Sequence, residues 1–311
     1  MDMDFKLKKI RFSSKLLKNF AFYFLIVYCL ALFKSNTIIK SNLDRVDSSE
    51  EEHDSFNSSL IFIGGYARSG TTLIRAILDV HDDVNCGPET KIIPQFLEFY
   101  KKFFEKQFDS LKKAKIKIKT TELAAGKFIY KIMKDISNNS KLLCTKDPNI
   151  LYHMRFLHSL FPNSKFVYMV RDPRAVVYSL MKIFNESLVP YKISSYLSTW
   201  KWYNNNVKTQ CDDIGPEYCK IIKYEDLIVN STYTIKEVVK FLGISWIPEF
   251  LSHDKYIGSK VIVSETEWST DQIKKPINPN SINAWKSKYK LFFDTLNEHD
   301  KEFLKKFNYT L

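Results

Sequence analysis

Residues 65–72 read GYARSGTT, the strongest local signal for chemistry in the chain. Gly65 and Gly70 fit the frame G-x-x-x-x-G-K-[ST] of phosphate-binding loops, but Thr71 stands where the lysine belongs. Ser69, Gly70, Thr71 and Thr72 still bring backbone N–H groups and hydroxyls to the start of a helix, which suits an anion. A nucleoside triphosphate calls for the missing lysine and a magnesium ion. A donor with less charge at its reacting group does not, and Arg68 supplies a cation from within the loop. A P-loop kinase is therefore a distant reading.

Such a loop has to be held by a strand before it and a helix after it. Residues 59–64 (SLIFIG) form a short apolar run, and from Thr71 the residues Leu73, Ile74, Ile77 and Leu78 give a helical stripe. Further strands are expected at 141–144, 165–170 and 219–223, the second of these near-continuously apolar and so buried on both faces. Helices are expected over 95–135, 150–160 and 231–242. Another begins at Asp172-Pro173, with Asp as N-cap and Pro at the first helical position. Strands alternating with helices point to an α/β fold, a central parallel β-sheet flanked by helices.

The chain has 311 residues, 45% of them hydrophobic and 26% charged, which is ample for one large core and is not the composition of a disordered chain. Its net charge of +12 favours anionic partners. Neither nucleic-acid motifs nor metal-finger spacings occur, so small anions and acidic peptides rank first, and no nucleic acid or metal is expected. Residues 1–19 carry six Lys and Arg against Asp2 and Asp4, and residues 20–33 (FAFYFLIVYCLALF) carry no charge. The run is shorter than the ~17–25 residues of a usual span and competes with a signal peptide, yet no small-x-small cleavage site follows. The expectation is a cytoplasmic tail 1–19, an uncleaved anchor 20–33 with the C-terminus luminal, a polar stem 34–58, and a folded domain 59–311. Of five cysteines, Cys29 falls in the anchor. Cys86, Cys144, Cys211 and Cys219 remain, an even number that permits three pairings. Five N-x-[ST] sequons, at Asn57, Asn138, Asn185, Asn230 and Asn308, permit glycosylation.

Beyond the loop, the segments IFIGGYARSGTTLIRAILD (61–79), CGPET (86–90), LCTKDP (143–148), LFPNS (160–164), MVRDPRA (169–175), KYEDL (223–227) and STDQIKKPIN (269–278) occur in order. Together with His81 they resemble the tyrosylprotein sulfotransferases across roughly residues 59–286. The resemblance implies a sulfotransferase fold and transfer of a sulfuryl group from 3′-phosphoadenosine 5′-phosphosulfate (PAPS) to tyrosines in acidic protein segments, without a metal. It also implies a Golgi-membrane homodimer. Glu89 stands at the catalytic-base position; a phenol with a pKa near 10 is a weak nucleophile until a carboxylate takes its proton. Lys146 stands where a lysine meets the leaving phosphate's bridging oxygen, and Arg68 and Ser269 where the transferring group is stabilised. Arg171 and Ser179 match the 3′-phosphate site, with Arg suited to bidentate binding. Arg68, Ser69, Gly70, Thr71, Thr72, Tyr224 and the run Ser269, Thr270, Asp271, Gln272, Ile273, Lys274, Lys275, Pro276, Ile277 and Asn278 match further donor contacts. Thr71 and Lys91 fall on the acceptor side. Pairing Cys86 with Cys144 would tie the Glu89 and Lys146 segments together.

The sequence departs from the family pattern at several places. It has Gly-Pro-Glu-Thr-Lys (87–91) for Gly-Glu-Glu-Thr-Arg, and Gln95 for another arginine that helps bind acidic residues. Ala284 stands where a lysine usually reaches the donor, with Lys286 nearby. An arginine four residues after Ser179 is missing, with Lys182 close at hand. These positions put donor affinity and peptide preference in question. The rival readings are a Golgi carbohydrate sulfotransferase and a sulfotransferase-like binding subunit that has lost activity. Retention of Glu89, Lys146, Arg68 and Ser269 speaks against the latter.

Overall fold

A computed structural model describes residues 56–309 apart from 139, 266, 289 and 293–295. The expected tail, anchor and almost all of the stem lie outside the described residues. Among those described, no helix is long and apolar enough to cross a membrane.

Five parallel strands make one sheet in the order β2-β3-β1-β4-β5: β1 (Leu60–Gly65), β2 (Val84–Asn85), β3 (Leu142–Lys146), β4 (Lys165–Val170) and β5 (Cys219–Lys223). Side chains alternate across a strand. Leu60 and Phe62 therefore join Phe166, Tyr168 and Val170 in one core, while Ile61 and Ile63 join Val167 and Met169 in a second core on the opposite face. Both faces are covered, which explains why LIFIG and KFVYMV read as almost unbroken apolar runs. From β1 the chain first builds the sheet to one side and then returns to build the other. The crevice beyond the carboxyl end of β1 is thus a topological switch point, where open α/β sheets bind ligands.

The α-helices of the described residues are α1 (Thr71–Leu78), α2 (Ile92–Lys113), α3 (Ile118–Ile136), α4 (Met154–Leu160), α5 (Pro173–Ile183), α6 (Pro190–Ile214), α7 (Tyr224–Val229), α8 (Ser231–Leu242), α9 (Thr270–Ile273) and α10 (Glu298–Lys306). Asp172 caps α5 by accepting from the Arg174 N–H, with Pro173 opening the helix. The strand expected at 141–144 runs on to Lys146. The helix expected over 150–160 begins as a 3₁₀ turn, Ile150–His153. The stretch 95–135 divides into α2 and α3, with Lys115 in the left-handed region at φ 57° between them.

Two disulfides form, Cys86–Cys144 and Cys211–Cys219, so one of the three pairings is selected. They close loops of sequence separation 58 and 8. Loop-closure entropy puts their contributions at about 4 and about 2.5 kcal/mol respectively. Replacing both cysteines of a pair by serine should lower the free energy of urea unfolding by more for the first pair than for the second. Equal losses would show that loop length does not set the difference.

Candidate active site

Each strand delivers one part of a single site at its carboxyl end. The loop after β1 carries Arg68, and β2 leads to Glu89. Lys146 ends β3, while Arg171 and Tyr224 directly follow β4 and β5. Two clefts meet there. One, of about 530 Å³, is lined by Arg171, Ser179, Tyr224, Gln272 and the segment 275–278. The other, of about 260 Å³, is lined by Thr71, Thr72, Glu89, Lys91, Asp147 and Trp268. Arg68 and Ser269 line both.

In the larger cleft Arg68 sits in the left-handed region at φ 72° and turns its buried guanidinium inward. Nε donates to Ser179 Oγ at 3.0 Å, Nη1 to Ser269 Oγ at 2.5 Å and Nη2 to Gln272 Oε1 at 2.6 Å. One side chain thereby ties the loop to α5 and to the segment around α9. Burial and the nearby Arg171 push this guanidinium down to about 10, Tyr224 opposing them, so it stays cationic at neutral pH. Gly70, at φ 95°, presses against Tyr224; a Cβ there would lie 2.5 Å from the Tyr224 ring. On its other side the Tyr224 ring meets the Arg171 guanidinium at 4.1 Å. Arg171 donates to the carbonyls of Arg68 and Ser281 at 3.0 and 2.9 Å, and the Tyr224 hydroxyl meets Ser281 Oγ at 2.8 Å.

Two buried donors have no hydrogen-bond partner among the described residues: Arg171 Nε, on a residue that lines this cleft, and Ser69 Oγ, in the anion loop beside it. Buried polar atoms are rarely left so. Together with the α1 N-terminus and two arginines, they fit a ligand bearing anionic oxygens at two places, as a nucleotide donor with two phosphate groups does. Asp271, Gln272, Ile273, Lys275, Pro276, Ile277 and Asn278 line the same cleft. Thr270 instead turns its hydroxyl to the Ser264 carbonyl, and Lys274 faces Asp271 at 3.9 Å. Lys182 and Ala284 line the cleft, whereas Lys286 is not among its lining residues. Arg174 is taken up by Asp172 at 2.7 Å and lies over the Trp285 ring at 4.3 Å.

Behind Thr72, Glu89 and Glu267, which line the smaller cleft, the Lys146 ammonium is buried. It donates to Glu89 Oε2 and to Glu267 Oε1, both at 3.0 Å, and approaches Thr72 Oγ1 at 3.4 Å. The side chain of Glu89 is only partly buried, so it reaches Lys146 while facing the cleft. Lys91 and Gln95 also line this cleft. Beside Lys146, Asp147 caps its own turn by accepting from the Asn149 N–H at 2.9 Å, and its Oδ2 has no partner. Three residues went unremarked in the sequence. Glu267 and Trp268 immediately precede Ser269, and Ser281 follows the donor segment. Nothing in their local sequence singles them out. Adjacency to Ser269 is the only signal that points to the first two.

Known proteins resemble this chain in sequence and in fold. A model of the sulfotransferase family covers residues 60–248. The chain is 36% identical over 248 residues to protein-tyrosine sulfotransferase 2 of Gallus gallus, covering 77% of this chain and 67% of that protein. It is 31% identical over 303 residues to the protein-tyrosine sulfotransferase of Drosophila melanogaster, covering 89% and 60%. The chain thus spans between three-fifths and two-thirds of the length of these relatives. Among solved structures, the sulfotransferase domain of the Synechococcus PCC 7002 olefin synthase superposes with a TM-score of 0.60 at 20% identity, covering 82% of this chain and 96% of that one. That likeness concerns the fold. Anion loop, sheet order and sequence relatives agree: the chain belongs to the sulfotransferase family, among the protein-tyrosine sulfotransferases.

Proposed function

We propose that the protein transfers the sulfuryl group of PAPS to the hydroxyl of tyrosines in acidic segments of secretory and membrane proteins, yielding O-sulfotyrosine and adenosine 3′,5′-bisphosphate. One observation carries this reading. Glu89, Lys146 and the Arg68 loop meet where a donor cleft and an acceptor cleft join. The donor brings an activated sulfuryl group, and the protein's own residues do the rest. Arg68, Ser69, Gly70 and Thr72 surround the 5′ side, and Arg171 and Ser179 take the 3′-phosphate, with Tyr224 packed alongside. The acceptor phenol enters beside Glu89, whose carboxylate takes its proton as the new O–S bond forms. The bond to the leaving phosphate breaks, and the charge that develops there is met by the fixed cations of Lys146 and Arg68. Lys91 and the overall basic charge favour acidic residues around the target tyrosine.

The same reading places the domain in the Golgi lumen, as a single-pass type II protein anchored by residues 20–33. Support comes from the basic tail, the uncharged run after it, and two disulfides of the kind an oxidising compartment maintains. Homodimer formation is part of the reading. Exposed Phe99 and Phe103, stacked one turn apart on α2, offer apolar surface for it.

The direct test offers labelled PAPS to the protein with a tyrosine peptide flanked by acids and, side by side, a sugar acceptor. Label on tyrosine is the expected result, and label on the sugar alone would move the protein to carbohydrate sulfation. Replacing Glu89 by Ala should lower turnover about 10²–10⁴-fold while adenosine bisphosphate binding, measured by calorimetry, stays nearly unchanged. Full activity in that variant would remove the assignment of the base.

Asp147 gives the acceptor cleft a pH dependence. Burial, with Glu89 adding to it, pushes its carboxyl from 3.8 up to about 6. Folding therefore favours the protonated form. The stability it contributes is present below about pH 4 and is lost as pH rises through about 6. Asp147→Asn can keep the Asn149 contact and carries no charge. Its unfolding free energy relative to the wild type should be about 2–3 kcal/mol more favourable at pH 7.5 than at pH 3.5. A difference that does not change with pH would contradict the buried carboxyl.

A further inference from the structure

The Lys146 ammonium touches two carboxylates, and the second, Glu267, has no part in the chemistry above. Its Oε1 accepts from Lys146 Nζ at 3.0 Å and from the backbone N–H of Glu89 at 2.6 Å. Its Oε2 accepts from Arg75 Nη2 at 3.2 Å. Arg75 is itself wholly buried on α1, where Nη1 donates to Asp79 Oδ2 at 3.1 Å and to the Ile262 carbonyl at 2.6 Å. Asp79 Oδ1 in turn accepts from the Cys86 N–H at 2.7 Å. Burial works against the ionised form of Glu267, but Lys146 and Arg75 outweigh it and hold the carboxyl below its usual range.

We infer that Glu267 is a positioning residue that fixes Lys146 and the backbone of Glu89 in one geometry throughout the transfer, an inference that rests on the reaction proposed above. The reason lies in the proton. When Glu89 accepts the phenol's proton it becomes neutral, and its pull on the ammonium is lost at the moment the leaving oxygen needs that cation. Glu267 takes no proton in this scheme. It keeps Lys146 charged and in place, and through the Glu89 N–H it holds the base at the same distance. Among the described residues, the charged groups around this pair are Arg75 and Asp79 from α1, Glu89 from the segment after β2, and Asp147 next to Lys146.

Glu267→Gln preserves the shape and removes the charge. Turnover should fall about 10²-fold, the cost of a misplaced catalytic group, with KM for the peptide changing far less. The rate–pH profile should change shape in the variant, because Glu89 and Lys146 are no longer held by a common charged partner. Acylation of Lys146 by acetic anhydride, mapped by mass spectrometry at fixed pH, should rise in the variant. Glu267→Asp keeps the charge and should restore part of the wild-type profile. A rate profile and Lys146 labelling that both match the wild type would overturn the inference, whatever the loss of activity. Should the wild-type chain transfer nothing to tyrosine, the functional reading falls, yet the labelling still decides the role of Glu267. If the variants fold poorly, hydrogen exchange on the wild type decides: the Glu89 amide should exchange slowly, and fast exchange would overturn the claim.

Discussion

The site depends on a lysine that is not allowed to reach water. Lys146 is 1% exposed. A buried ammonium costs several kcal/mol unless anions and hydrogen bonds surround it. Glu89 and Glu267 supply those anions, so wherever β3 places Lys146, the two carboxylates have to follow. β3 is itself fixed by its register with β1, which sets Lys146 opposite Ile63, one residue before the glycines that open the anion loop. The Cys86–Cys144 bond then fastens the Glu89 segment to the same strand. Sheet pairing, a covalent tie and charge balance thus converge on one geometry.

The two clefts divide the electrostatics. Burial and the neighbouring Arg171 disfavour the charge on Arg68 at the donor side, a cost that an anionic ligand relieves. The acceptor side carries Glu89, Glu267 and Asp147 around a single buried lysine. A neutral phenol suits that side, and an anionic sulfuryl donor suits the other. Arg68 and Ser269, hydrogen-bonded to each other at 2.5 Å, stand at the boundary where the group would pass. The α9 segment serves both halves: Glu267 reaches Lys146, and two residues later Ser269 reaches Arg68.

Much of the fold could be read from local pattern. β4 and β5 lie where apolar runs bounded by turns put them, and α5 starts at the Asp-Pro pair. The anion loop was legible because its glycines and hydroxyls are contiguous. Other features were not, for physical reasons. α6 buries Ile193, Leu197, Trp200, Tyr203 and Val207 on one face, but the same face holds Asn204 and Gln210, and three asparagines interrupt the pattern. Those polar residues are inside because they have partners there: Asn204 Oδ1 accepts from the Tyr168 hydroxyl at 2.6 Å, and Gln210 Nε2 donates to the Tyr152 carbonyl at 3.0 Å. β2 is two residues long, too short to show a period. Glu267 lies 121 residues from Lys146, so an acid that the sequence does not set apart from Glu265 or Asp271 acquires its meaning only when the fold brings the two together.

A structure of the protein with adenosine 3′,5′-bisphosphate and a tyrosine peptide bound together bears most directly on the central claim. The account requires the 5′-phosphate on the N–H groups and hydroxyl of Ser69–Thr72, the 3′-phosphate on Arg171, and the phenol oxygen within hydrogen-bond distance of Glu89 beside Lys146. A nucleotide lodged elsewhere on the sheet, or a phenol held away from the Glu89–Lys146 pair, would contradict it.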